Sequence, residues 1–250
     1  MLAVTGGQPK ELLPLAGIPV LEHVVRECAA SGITDLMIVV APGKQAIVDH
    51  FSRLEGDTGL PRRIVFAVQA KPRGLADAIR LGSDFTRRGP IAVALPDNVF
   101  VADQPPLSQV MRVARETGKS VVAMVGVTAE DAAKQGATAI YEGEPVRDTD
   151  EFRIKSIPEK RVGTSTFDTG GAALAYTGVG RYAFDGALWD AIDAVEGTLE
   201  PDSELDDVPV MRLLVAQNLL TGCLVRGQFL DVGWPAGYMQ AMELLAHREF

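Results

Sequence analysis

Short, continuous apolar runs recur along this chain with amphipathic stretches between them, and no other feature narrows its fold so far. Leu36-Met37-Ile38-Val39-Val40, Ile64-Val65-Phe66-Ala67-Val68, Ile91-Ala92-Val93-Ala94-Leu95 and the stretch from Ser120 to Val127 lack polar alternation. Such runs read as strands covered on both faces, as in a parallel sheet. Between them, residues 19–31 place Leu21, Val24, Val25 and Cys28 at helical spacing ahead of Gly32, a C-terminal cap residue. Residues 44–54 repeat the pattern with Ile47, Val48 and Phe51 inward, and 74–81 and 107–117 supply two more helices. This alternation predicts an α/β chain built on a doubly wound sheet with short connections.

Beyond Val127 the rhythm loosens. Residues 138–141, 152–157 and 172–176 read as short strands separated by polar turns, so the sheet is expected to be mixed and partly antiparallel. Helices follow at 187–195 and 208–217, then a strand at 222–225 and a last helix at 235–247. With neither repeats nor a low-complexity linker, 250 residues that are 47% hydrophobic are expected to form one domain.

Composition removes several functions. Cys28 and Cys223 are isolated, which gives neither a disulfide framework nor a Cys-x-x-Cys metal site and fits a cytoplasmic setting. No apolar run approaches the ~18 residues that cross a bilayer, and the first residues lack a basic region leading into an apolar one. A net charge of −9 argues against nucleic acid as a partner. An anionic substrate therefore needs local lysines or a metal ion.

Candidates for that role sit in loops. Pro9, Pro14 and Pro19 stiffen the segment carrying Lys10, and a cation on a rigid loop suits a polyphosphate, although a solvated loop lysine is the commoner case. Gln69, Asp97 and Asp231 each follow an apolar run, where ligands gather in open α/β sheets. Each is also an ordinary turn residue. Two carboxylates distant in sequence can share a hard cation such as Mg²⁺, which takes one or two carboxylates besides substrate phosphates. His23, His50 and His247 fall in helical patterns and read as structural or exposed.

The stretch Pro9-Lys10-Glu11-Leu12-Leu13-Pro14-Leu15-Ala16-Gly17-Ile18-Pro19-Val20-Leu21 closely resembles the corresponding segment of the sugar-1-phosphate nucleotidyltransferases, especially the bacterial UTP:glucose-1-phosphate uridylyltransferases. Further matches keep the family's order. Gln69-Ala70-Lys71-Pro72-Arg73-Gly74-Leu75-Ala76 is similar to its Q-x-x-x-x-G-L-A motif, Leu95-Pro96-Asp97 to its metal-aspartate motif, and Phe229-Leu230-Asp231-Val232-Gly233 to F-D-I-G-T. Gly136, Glu159-Lys160 and Gly180-Arg181-Tyr182 match sugar-side motifs. The resemblance implies a Rossmann-like doubly wound mixed sheet with helices on both faces, of the nucleotide-diphospho-sugar transferase type. It assigns residues 1–127 to the nucleotide and 128–250 to the sugar. Lys10, Gln69 and Gly74 would then bind the nucleotide, and Gly136, Glu159, Lys160 and Gly180 the sugar phosphate. Asp97 and Asp231 would hold Mg²⁺, with Lys10, Asp97 and Lys160 as catalytic groups, and the assembly would be a homodimer or homotetramer.

The reaction implied is attack by glucose 1-phosphate on the α-phosphorus of UTP, with pyrophosphate leaving. A phosphate monoester with a second pKa near ~6 is already dianionic at neutral pH, so no general base is needed. This chain departs from the family in several places. The strand and G-x-G-T-R loop that open the family pattern fall before Met1, which implies a miscalled start or a truncated chain. Arg161 replaces a proline, Leu205-Asp206-Asp207-Val208-Pro209 only approximates Q-L-T-D-A-I, and the segment between Phe51 and Ile64 is short. Asn98 after Asp97 resembles the thymidylyltransferases. Thymidylyl transfer, another sugar-1-phosphate nucleotidyl transfer, and a non-catalytic nucleotide-sugar-binding paralogue therefore stand as alternatives.

Overall fold

The computed structural model describes residues 9–128, 140–158, 174–200 and 202–245. They divide into two compact units. The first takes in residues up to Pro72, Ala94–Ser108 and Gly227 onward, and the second Arg73–Val93 and Gln109–Arg226.

The first unit opens with a 3₁₀ turn at Lys10–Leu12 and a hairpin of β1 (Pro14–Leu15) and β2 (Ile18–Pro19). Ala16 and Gly17 both have positive φ, the geometry of a tight two-residue hairpin turn. Helix α1 (Val20–Ala30) follows, then β3 (Asp35–Val40), α2 (Gln45–Arg53) and β4 (Arg63–Val68). β3 and β4 pair in parallel, as their apolar runs predict. The expectation of cover on both faces fails for β4, which is only partly buried; Val68 is 56% exposed. Leu12, Leu21, Val25, Ile38, Val40, Ile47 and Phe51 form one core of this unit.

Two four-residue strands, β6 (Asn98–Val101) and β12 (Gln228–Asp231), pair antiparallel, and α7 (Pro235–Leu245) packs behind them. Leu13, Leu15, Val20, Val99, Leu230, Val232 and Tyr238 make the second core. Glu22 is buried on α1, where its carboxylate accepts from Arg26 Nε at 2.8 Å and lies 2.8 Å from His50 Nε2. His50 is thus structural. Arg26 also reaches Asp57 at 2.7 Å, fixing the short connection before β4.

The second unit holds a six-stranded mixed sheet in the order β5-β10-β7-β11-β9-β8. Its strands are β5 (Ile91–Ala94), β7 (Ser120–Val127), β8 (Glu142–Pro145), β9 (Glu151–Ser156), β10 (Ala175–Phe184) and β11 (Leu220–Leu224). β7 is central, parallel to β11 and antiparallel to β10, and Val121, Val122, Ala123 and Met124 are fully buried. Helices α3 (Leu75–Arg80), α4 (Pro106–Thr117), α5 (Ala187–Glu196) and α6 (Asp207–Ala216) accompany it, completing a mixed α/β architecture with helices on both faces. β5 is an edge strand and half-buried, whereas its apolar run predicts burial on both faces. The strand expected at 172–176 is instead ten residues long, with a bulge between Val179 and Tyr182 that admits Gly180 and Arg181. Of the strand expected at 138–141, Ile140 makes an isolated bridge to Thr177, and 138–139 lie outside the described residues. Among the described residues, no helix is long and apolar enough to cross a membrane.

Candidate active site

Lys10 is placed by backbone, and its ammonium is placed by charge. Pro9 and Lys10 accept the N–H groups of Leu12 and Leu13 at 2.9 and 3.2 Å, and Leu12 and Leu13 are buried in the two cores of the first unit. Beyond them the hairpin is pinned twice. His23 Nε2 lies 2.7 Å from the Leu15 carbonyl, which can only accept, and the Tyr238 hydroxyl donates to the Pro14 carbonyl. Glu11 accepts from Lys44 Nζ at 2.9 Å. A lysine on so fixed a backbone varies mainly in its own side chain.

The two carboxylates meet through strand pairing. In the β6–β12 ladder Asp231 faces Asn98, and Val232 N–H donates to the Asp97 carbonyl at 2.9 Å. Asp97, one residue before β6, is thereby brought beside the end of β12. Gly233 lies between the acids: a Cβ there would fall 2.9 Å from Asp97 Oδ2 and 3.0 Å from Asp231 Oδ1. Those oxygens are both about 3 Å from one point, hence no more than about 6 Å apart. Asn98 Nδ2 donates to Asp97 Oδ1 at 3.3 Å, and Gly233 N–H to Asp231 Oδ1 at 3.0 Å. Lys10 Nζ closes the arrangement 3.0 Å from Asp97 Oδ2, with Lys10 37% and Asp97 30% exposed, so a ligand can reach both.

Burial pushes the Asp231 carboxyl above the ordinary aspartate range, and the neighbouring charge of Asp97 adds to this; the Gly233 N–H and Lys10 oppose it. A bound divalent cation would reverse that logic by favouring both ionised forms. Two converging carboxylates with an open side match what a magnesium ion takes from a protein when substrate phosphates complete its shell. Among the described residues no group of three or more acidic, histidine or cysteine side chains gathers, so the protein's own share of such a shell would be these two acids.

The remaining candidates are placed by other elements. Gln69 follows β4, its N–H donating to the Val40 carbonyl at 2.9 Å. Gly74 caps α3 with φ +104°, and a Cβ there would lie 2.4 Å from the Leu205 carbonyl, so glycine is required on two counts. Gly180 sits in the β10 bulge beside Arg181, a fully buried cation whose Nη1 donates to the Gly180 carbonyl at 2.8 Å. Gly136, Glu159 and Lys160 lie outside the described residues. Gly233 and Asn98 touch the two acids, and sequence reasoning assigned neither a role there. Gly233 carried a signal, being the one residue of its motif small enough to stand between two acids.

With this geometry in view, the class is defined. The nucleotidyl transferase family model matches residues 1–248, and the chain belongs to that family. Among its relatives is the UTP–glucose-1-phosphate uridylyltransferase of Haemophilus influenzae, 29% identical over 96% of this chain and 87% of that protein. The fold is similar to that of a UDP-glucose pyrophosphorylase complexed with UDP-glucose, with a TM-score of 0.82, 22% identity, and coverage of 100% of this chain and 94% of the other. It is also similar to a Bacillus anthracis chain assigned as a glucose-1-phosphate thymidylyltransferase, with a TM-score of 0.76, 22% identity, and coverage of 100% and 92%.

Proposed function

We propose that this chain transfers the uridylyl group of UTP to glucose 1-phosphate, forming UDP-glucose and releasing pyrophosphate. The observation that carries this reading is the convergence of Lys10, Asp97 and Asp231 in the first unit. The uridylyltransferase relative supports the choice of nucleotide and sugar. An oxygen of the sugar phosphate attacks the α-phosphorus in line, and the bond to the β-phosphate oxygen breaks with its electron pair leaving on pyrophosphate. No proton need be removed from the attacking dianion, so the protein's work is positioning and charge neutralisation.

Asp97 and Asp231 would hold magnesium, which would supply Lewis-acid neutralisation of the phosphate oxygens. Lys10 offsets charge that builds on the departing phosphates. Lys160 holds the sugar phosphate against their repulsion, with Glu159 on the sugar hydroxyls and Gly136 and Gly180 on the sugar-phosphate side. Gln69 and Gly74 face the base. Asn98 fixes the Asp97 carboxylate, leaving Oδ2 directed at the ligand. A cytoplasmic setting and a homodimeric or homotetrameric assembly complete the proposal.

The test is pyrophosphate release with UTP, dTTP, CTP and GTP against several sugar 1-phosphates, with and without Mg²⁺. UTP with glucose 1-phosphate is expected to react fastest and to need the metal. Preference for dTTP would assign the chain to thymidylyl transfer, the reading that Asn98 and the Bacillus anthracis neighbour favour. Tight binding of nucleotide sugar without turnover of any pair would leave a binding protein.

A further inference from the structure

Lys10 and a divalent cation want the same oxygen. The ammonium lies 3.0 Å from Asp97 Oδ2, and Oδ2 is the atom turned toward Gly233 and the Asp231 carboxylate. The other Asp97 oxygen is taken by the Asn98 amide, and Asp231 Oδ1 by the Gly233 N–H. A magnesium or manganese ion bridging the acids must sit about 2 Å from its oxygens. An ammonium on Oδ2 would then face a double positive charge at little more than contact distance. The two positive charges oppose each other there.

We propose that Lys10 is the resident counter-ion of the Asp97–Asp231 pair, blocking the cation site until a nucleoside triphosphate draws the lysine away. The backbone permits this exchange, since the 3₁₀ turn is fixed by Leu12 and Leu13 in the cores while the Lys10 side chain is partly exposed on a flexible stem. A triphosphate offers the ammonium several anionic oxygens in place of one carboxylate oxygen. Once Lys10 turns to them, Asp97 is free to take the cation. Binding of cation and triphosphate is coupled through one side chain, and the coupling is reciprocal. The protein alone therefore holds metal weakly, and Lys10 is a positioning residue for the metal in addition to any contact with phosphate. This inference rests on the assignment of Asp97 and Asp231 as the cation site.

The experiment titrates manganese(II) alone into nucleotide-free protein, following the electron paramagnetic resonance signal of the free ion, with far-UV circular dichroism confirming that each variant is folded. Lys10→Met, which removes the charge and keeps the length, is expected to bind manganese about tenfold more tightly than the parent chain. Lys10→Arg is expected to stay as weak as the parent. Asp97→Asn should abolish the gain when combined with Lys10→Met. Equal or weaker binding by Lys10→Met overturns the proposal, even where Asp97→Asn shows that the acids do hold the ion. If Asp97→Asn and Asp231→Asn leave manganese binding unchanged in both backgrounds, the cation-site assignment falls, and this inference with it.

Discussion

Asp231 faces Asn98 across an antiparallel ladder, so the carboxylate that ends β12 is delivered beside the one that precedes β6. Their separation depends on the register of two four-residue strands and on the residue that follows Asp231 by two.

Gly233→Ala tests that separation. No positive φ is needed at Gly233, so alanine is compatible with the backbone, and the effect comes from a methyl placed 2.9 and 3.0 Å from the two carboxylate oxygens. The acids should spread and lose their common focus. Displacements of this order at a reacting centre cost about a hundredfold in rate. Steady-state turnover should fall by that much while the melting temperature changes little; unchanged turnover would remove the shared focus.

Asp231 carries a cost in the unliganded protein. Burial raises its carboxyl pKa in the folded chain, so folding favours the protonated form. The resulting contribution is fully present below the unfolded aspartate value of about 3.9 and is lost as pH rises through the folded value. Asp231→Asn should accordingly melt higher than the parent at pH 7 and alike near pH 3, while losing activity. A lower melting temperature at pH 7 would show that the ionised carboxylate stabilises the fold.

His23 has the opposite sign. Burial lowers its pKa despite the Leu15 carbonyl, so the unfolded chain takes up a proton before the folded one does. Stability present above about pH 6.5 should drain as pH falls toward the lowered value. His23→Gln, which keeps an N–H for the Leu15 carbonyl, should lose less stability between pH 7 and pH 5 in urea titrations. Equal losses would show that the imidazole does not set this sensitivity.

The two lysines should fail differently. Lys10→Ala, on the nucleotide side, should depress kcat by roughly two to three orders of magnitude, the usual cost of one charged contact that strengthens in the transition state. Lys160→Ala should chiefly raise KM for glucose 1-phosphate and leave UTP binding nearly intact. Retained kcat in Lys10→Ala, with Lys160→Ala weakening UTP alone, would reverse the proposed orientation of the substrates.

How far the sequence discloses this arrangement depends on the length of each pattern. β7 is found residue for residue, because an unbroken apolar run from Val121 to Val125 at the centre of a sheet leaves no other reading. The helices are placed to within a few residues by their buried faces. The hairpin of β1 and β2 is invisible: Pro14 and Pro19 occupy its ladder, where proline ordinarily argues against a strand. β6, β8 and β12 are four residues each, and β8 is exposed throughout. Lys10, Asp97 and Asp231 are legible as candidates from loop and strand-end positions and from family motifs. Their contact is not, since it follows from pairing between strands far apart in the chain, and such pairing leaves no local trace.

The fastening of the Lys10 hairpin by Tyr238 has a bearing on biosynthesis. Translation delivers Lys10 and then Asp97 well ahead of β12 and the tyrosine that grips the Pro14 carbonyl. Until then the nascent chain carries Lys10 and Asp97 without Asp231 and without that anchor for the hairpin. The six-stranded unit, whose last strand ends at Leu224, can settle first. Emergence of α7 then completes the Lys10–Asp97–Asp231 corner, so a ribosome that stalls before Tyr238 releases a product in which the Pro14 carbonyl lacks that anchor.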